Sequence, residues 1–139
     1  MLYIVETTDG KTCYTLVKQE ETLLTKNFTV ESNIEGKIAN INCKHILFEK
    51  VNMPKLEVSC KDGESFIVRK EMEQLVYTVK VYDGELAISG DVYSNKFELI
   101  HKGNTIAILK CDKENVLISV DDENESLAVT VALAIEVAK

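Results

Sequence analysis

The chain contains no tryptophan, only one proline and six glycines among its 139 residues. So little proline and glycine excludes a collagen-like or low-complexity chain. Cysteine occurs four times but never as a CxxC pair, so the common zinc-ribbon and thiol-redox motifs are absent. Acidic side chains outnumber basic ones by 23 to 16, and the formal net charge is −7. This balance argues against a protein that wraps nucleic acid, which requires a basic footprint.

Targeting and membrane-spanning signals are also missing from the sequence. Residues 1–6 lack the basic stretch and the apolar stretch of a secretory signal, and no apolar run approaches the roughly 20 residues of a membrane span. The cysteines are Cys13, Cys43, Cys60 and Cys111. Their wide spacing indicates reduced thiols in a cytoplasmic protein. We therefore expect a single cytoplasmic domain over residues 1–139.

The longest apolar run lies at the end of the chain, over residues 127–138, and only Thr130 and Glu136 interrupt it. As a helix it is apolar on every side, so it must be enclosed. Its length of roughly 20 Å is too short for a bilayer, which leaves protein as the enclosure. The β-branched residues also permit a strand, but strands of this length are unusual. The acidic residues at 121–125 suit a helix N-terminus, so we predict a buried helix.

Everything before residue 121 alternates between short apolar segments and turn residues, which is typical of β-strands. The predicted strands are residues 2–5, 13–17, 27–30, 37–42, 45–48, 56–60, 65–69, 75–82, 86–90, 96–100, 105–110 and 115–120. Pro54 is expected to start or precede an edge segment, and residues 69–74 form a turn or a strand end. Because closure removes exposed sheet edges, we predict a closed antiparallel barrel of about twelve strands around the C-terminal helix.

Four segments carry a resemblance to a known family. They are residues 86–93 (LAISGDVY), 96–100 (KFELI), 104–110 (NTIAILK) and 125–136 (ESLAVTVALAIE). In them the chain resembles the LURP-one-related family of the tubby C-terminal-like superfamily, which also includes phospholipid scramblases. The resemblance implies a barrel around a central hydrophobic helix. It also implies that basic residues on the barrel surface meet phosphoinositide headgroups, although no individual position is matched to that motif.

Candidate chemistry is sparse. Cys43 and His45 share a strand face and, with Cys60 or His101, could hold zinc. A cysteine beside a histidine could also act as a nucleophile. The spacing matches no zinc pattern, and the acidic residues 121–125 lack the ligand alternation and the glycine of a calcium loop. We therefore expect no catalytic, cofactor-binding or metal-binding residues, and no enzyme.

Basic residues gather in three sets, and these suggest a surface for binding. The sets are Lys44, Lys50 and Lys55; Arg69 and Lys70; and Lys102, Lys110 and Lys113. The preferred function is a non-catalytic cytoplasmic binding or scaffold domain that docks on a phosphoinositide, an anionic membrane or a protein. The alternatives are an enzyme with an unrecognised Cys/His site and a nucleic-acid-associated regulator. One clustered basic face would favour membrane or nucleic acid over a protein-interaction module.

Glu136 is the one ionisable side chain inside the apolar run. An unpaired carboxylate inside a dry protein would be costly or would stay protonated. A carboxylate near a helix C-terminus also opposes the helix dipole. We therefore predict that Glu136 either reaches water or lies within about 4 Å of a Lys, Arg or His nitrogen.

Overall fold

The computed structural model describes residues 3–7, 13–48, 51–73, 76–82, 85–112, 115–120 and 122–139. Eleven strands precede a short 3₁₀ helix at Asp122–Asn124 and a C-terminal α-helix. The strands are β1 (Tyr3–Thr7), β2 (Cys13–Glu21), β3 (Thr25–Ser32), β4 (Gly36–Phe48), β5 (Val51–Cys60), β6 (Ser65–Glu73), β7 (Val76–Tyr82), β8 (Leu86–Ser89), β9 (Lys96–His101), β10 (Asn104–Asp112) and β11 (Asn115–Val120), and the helix is α1 (Glu125–Ala138).

The strands form two antiparallel groups, six strands from β2 to β7 and four from β8 to β11. Strand β1 joins the groups, because it pairs antiparallel with β2 and parallel with β11. The resulting order is β7-β6-β5-β4-β3-β2-β1-β11-β10-β9-β8. The two ends of the strand region of the chain therefore meet in the middle of the sheet.

The prediction of a closed barrel of about twelve strands is wrong. Strands β7 and β8 stand at opposite ends of the strand order, and no ladder joins them among the residues that the structure describes. Strand β8 follows β7 in the chain, but it is only four residues long and pairs with β9 instead. Among the described residues, the sheet is therefore open between β7 and β8.

The structure has eleven strands and not twelve, because two of the predicted strands form a single strand. Residues 37–42 and 45–48 belong to the single strand β4, which is thirteen residues long. Cys43 continues the inward alternation between them, with only 1% of its surface exposed. Pro54 lies inside β5 opposite His45 of β4, so it does not start the strand, although it does lie where β5 is at the edge of the described sheet. The described ladder between β5 and β6 begins only at Lys55, and proline is tolerated there because β5 has one neighbour at that level.

The prediction of a buried C-terminal helix is confirmed, and the strand alternative is wrong. Helix α1 spans Glu125–Ala138 and packs against β4, β5, β6, β10 and β11, which come from both strand groups. Its buried residues are Ala128, Val129, Thr130, Val131, Ala132, Leu133, Ala134, Ile135 and Ala138. In the described part of the chain, no helix is long and apolar enough to cross a bilayer. The strands of both groups enclose this apolar helix.

Candidate functional site

Four basic side chains lie in one line across four neighbouring strands. Lys44 of β4 is directly opposite Lys55 of β5, Lys55 is opposite Arg69 of β6, and Arg69 is opposite Lys80 of β7. We call these four residues the basic row. Adjacent strands lie about 4.8 Å apart, so the row extends roughly 14 Å.

The basic row faces away from the core because its neighbours along each strand face inward. Those neighbours are Cys43, Leu56, Val68 and Val79, each at most 4% exposed. Since side chains alternate along a strand, the residue beside each of them points outward. Three members of the row are exposed and Lys55 is half-buried. The row therefore presents its cationic groups on the outer face of the sheet.

Two glutamates flank the basic row and pair with its outer members. The Lys44 ammonium lies 3.0 Å from a carboxylate oxygen of Glu57, and the Lys80 ammonium lies 3.9 Å from one of Glu71. All four side chains are solvent-accessible, so each pair contributes less than about 1 kcal/mol. Among the described side chains, no carboxylate lies within 4 Å of Lys55 or Arg69, the two central members.

A tyrosine extends alongside the basic row. The Tyr82 hydroxyl donates a hydrogen bond to Glu71, and this bond holds the pKa of the Tyr82 phenol above its usual value. Tyr82 is 47% exposed and lies on the same outer face as Arg69, since it is opposite Ile67 in the ladder. An amphipathic side chain therefore adjoins the charged groups.

The arrangement of the basic row is unfavourable for stability. Like charges directly opposite one another on a sheet repel by a few tenths of a kcal/mol or more for each pair. Three such contacts follow one another here. Glu57 and Glu71 offset part of this repulsion, and an anionic ligand over the row would offset more of it by attracting each cation.

The other predicted basic residues do not join the row. Lys70 alternates with Arg69, and its ammonium instead lies 3.1 Å from the Lys139 carbonyl oxygen and 4.6 Å from the centre of the Tyr77 ring. Lys102 lies in the turn between β9 and β10, and Lys110 is exposed on β10. Lys50 and Lys113 lie outside the described residues. Sequence reasoning did not include Lys80 in any set.

The ionic environment of Glu136 matches the prediction. The Lys139 ammonium lies 2.6 Å from a Glu136 carboxylate oxygen, and the Glu136 side chain is only 9% exposed. Lys139 also lies 5.6 Å from the centre of the Phe97 ring. With Lys70 on the Lys139 carbonyl, two cations surround the C-terminal end of α1, which is where the helix dipole favours positive charge.

At the other end of α1, the first turn carries one acidic side chain. Asn124 is the N-cap without a side-chain capping bond, and Glu125 supplies negative charge in the first turn. The Tyr14 hydroxyl donates to the Glu125 carboxylate at 2.5 Å. Residue 121 lies outside the described residues. A nearby cavity of about 300 Å³ is lined by Glu35, Ile38, Cys60, Lys61, Asp62, Ser126, Leu127 and Thr130.

Among the cysteine side chains that the structure describes, Cys43 and Cys60 are not brought together. In the ladder Cys43 is opposite Leu56, four residues from Cys60 along β5, which corresponds to about 13 Å. His101 lies on β9 with its Nε2 atom 3.5 Å from a Glu85 oxygen. The side chains of His45, Cys13 and Cys111 lie outside the described part. Within that part, no group of three or more His, Cys, Asp or Glu side chains could hold a metal ion.

Burial raises the pKa of the Cys43 thiol to about 11, compared with an ordinary value of 9.0. Because the thiolate is the reactive form, we expect its population at pH 8 to be about a hundredfold below that of an ordinary thiol. Cys43 should resist iodoacetamide in the folded protein and react only as the pH approaches 11 or the chain unfolds. Mass spectrometry of the alkylated peptides measures this, with the half-buried Cys60 as the internal comparison. Rapid labelling of Cys43 at pH 8 without unfolding would contradict the burial argument.

Comparisons with protein-family models, with curated proteins and with solved structures found no match to this chain. The resemblance to the LURP-one-related family therefore stays a prediction.

Proposed function

We propose that this chain is a non-catalytic cytoplasmic binding domain that docks on an anionic membrane surface through the basic row. The observation that supports the proposal most is the register that aligns Lys44, Lys55, Arg69 and Lys80 across four strands. A basic side chain near an anionic bilayer contributes about 1 kcal/mol. Lys55 and Arg69, which have no carboxylate within 4 Å among the described side chains, therefore contribute about 2 kcal/mol, which is roughly 30-fold in binding. Docking is reversible at this strength.

The charge of the rest of the chain orients the docking. With a net charge of −7, most other surfaces are repelled by an anionic bilayer, so the basic row faces the lipid. Tyr82 beside the row supplies an amphipathic ring of the kind that favours the membrane–water interface. A long nucleic acid would meet the acidic surfaces as well as the row, so we favour lipid. The LURP-one-related resemblance adds the expectation of phosphorylated headgroups.

The test is sedimentation of the protein with vesicles of phosphatidylcholine alone or of phosphatidylcholine with phosphatidylserine. We expect binding only to the anionic vesicles. We also expect the binding to fall sharply as salt is raised from about 0.1 M to about 1 M, because the Debye length shortens from about 10 Å to about 3 Å. Equal binding to both vesicles, binding to neither, or tighter binding to duplex DNA at the same salt would contradict the proposal.

A further inference from the structure

Two neighbouring hairpins extend beyond the basic row at the same end of the sheet. Lys55 is opposite Arg69. Strand β5 begins at Val51, four residues before Lys55, and β6 ends at Glu73, four residues after Arg69. At about 3.3 Å per residue, both strands extend roughly 13 Å past the row. We call these strand ends, with their partners in β4 and β7, the hairpin end, and its residues are 46–48, 51–53, 71–73 and 76–78.

Three exposed apolar side chains lie at the hairpin end. Val76 is 65% exposed, Met72 is 46% exposed and Tyr77 is 39% exposed. Met72 is opposite Tyr77 in the ladder between β6 and β7. The last ladder pair of the β4–β5 hairpin is Phe48 with Val51. Both hairpins therefore carry apolar residues close to their tips.

Few charges oppose contact between the hairpin end and an apolar phase. Glu71 is the one carboxylate whose side chain the structure describes there. It accepts the hydrogen bond from the Tyr82 hydroxyl and lies 3.9 Å from the Lys80 ammonium, so its charge is partly offset. The Glu73 side chain lies outside the described part. The turn at the opposite end of β5 and β6 is Lys-Asp-Gly-Glu over residues 61–64, so the hairpin end is the less charged of the two.

We infer that the hairpin end inserts into the interfacial zone of an anionic bilayer, so that Met72, Val76 and Tyr77 lie below the lipid phosphates while the basic row stays level with them. This insertion rests on the membrane docking proposed above. Amphipathic segments at a bilayer surface bury their apolar side chains about 5–10 Å into the boundary between headgroups and acyl chains. The extension past the row provides that reach when the sheet tilts with its hairpin end deepest.

Cations and apolar side chains follow one another on the outer face in the order that a bilayer requires. Val76 lies on the same face as Arg69, because Arg69 is opposite Lys80 and four residues separate Lys80 from Val76. Arg69 meets the phosphates, and Val76, roughly 13 Å nearer the tip, meets the acyl chains below them. Tyr77 adds an amphipathic ring of the kind enriched at the membrane–water interface. A protein partner would need an acidic surface and an apolar pocket at this spacing, whereas an anionic bilayer has both layers everywhere.

The experiment uses single tryptophan reporters, since the chain has no tryptophan of its own. Val76→Trp places one at the hairpin end. Ile34→Trp is the matched control, because Ile34 is 67% exposed and lies in the β3–β4 turn at the other end of β4. With vesicles of phosphatidylcholine and phosphatidylserine, the emission of Val76→Trp should move to shorter wavelength. Lipids brominated on their acyl chains should quench it about twofold or more, and Ile34→Trp should show neither effect.

Polar substitution tests whether insertion adds affinity. Val76→Thr keeps a β-branched side chain in the strand but should weaken sedimentation with the anionic vesicles about tenfold, because less apolar surface leaves water. Ile34→Thr should change it by less than about twofold, because that side chain stays in water in both states. Circular dichroism of the free variants checks the fold, and Tyr77→Trp repeats the fluorescence measurement if Val76→Trp does not fold.

Three outcomes would overturn the inference. If both tryptophan variants sediment with the anionic vesicles and neither emission changes, the chain docks without insertion, and the proposed membrane docking still stands. If both emissions change equally, the hairpin end is not the part that enters the bilayer. If the unmodified chain does not sediment with these vesicles, docking and insertion fail together.

Discussion

Deleting residues 125–139 should leave a chain with no cooperative unfolding transition. Helix α1 buries Val129, Val131, Leu133 and Ile135 completely, and each contributes about 1.5–3 kcal/mol. Their sum of roughly 6–12 kcal/mol equals the whole stability of a typical domain. The inward faces of five strands would also lose their cover. Thermal unfolding followed by circular dichroism measures this, and a sharp transition in the truncated chain would contradict the central place of α1.

Single substitutions test whether the packing of α1, and not only its presence, stabilises the fold. Leu133→Ala leaves a cavity in the helix interface and should lower the free energy of unfolding by about 2–5 kcal/mol. Leu23→Ala removes the same atoms from a side chain that is 95% exposed, so it should change stability by less than about 0.5 kcal/mol. Similar effects at the two positions would mean that α1 is not the core.

Charge reversal in the basic row should nearly abolish vesicle binding. The double variant Lys55→Glu, Arg69→Glu replaces the two central cations of the row with anions. Losing two attractions of about 1 kcal/mol each and gaining comparable repulsions should weaken binding by about 4 kcal/mol, close to a thousandfold. The fold should survive, because both side chains lie on the outer face and the change relieves like-charge contacts. Unchanged circular dichroism and unfolding temperature would verify this.

A matched control carries the same change in net charge at another place. Lys102 and Lys110 lie on the β9–β10 hairpin, outside the row. The variant Lys102→Glu, Lys110→Glu therefore tests whether overall charge or the aligned row controls binding. We expect it to bind anionic vesicles within about threefold of the unmodified chain, since each exposed charge away from the contact acts only through screened solvent.

Local pattern was enough to predict the elements of this fold but not the edges of its sheet. Alternation of apolar and polar residues identifies the strands, and the apolar run at 127–138 identifies the helix, because buried positions require apolar residues. The parallel pairing of β1 with β11 joins residues more than 100 positions apart, and no local signal records it. The failure of β7 and β8 to pair depends on tertiary geometry, so closure was wrongly predicted.

The basic row could be predicted only in part from the sequence, because its alignment depends on the register between strands. The Asp62-Gly63 turn marks the β5–β6 hairpin, but counting outward from between its two residues would pair Lys55 with Lys70, whereas the ladder is centred on Asp62 and pairs Lys55 with Arg69. The connections at 49–50 (Glu-Lys) and 74–75 (Gln-Leu) contain no glycine, proline, asparagine or aspartate, so no turn signal marks their centres. The positions of Lys44 and Lys80 in the row therefore required the structure.

The most direct test of membrane docking is the salt dependence of binding to phosphatidylserine-containing vesicles for the three proteins in parallel. The account predicts a steep loss of affinity with salt for the unmodified chain and for Lys102→Glu, Lys110→Glu. It predicts almost no binding at any salt for Lys55→Glu, Arg69→Glu. If the two double variants lose affinity equally, or if neither does, then the aligned cations of β4 to β7 are not a docking surface.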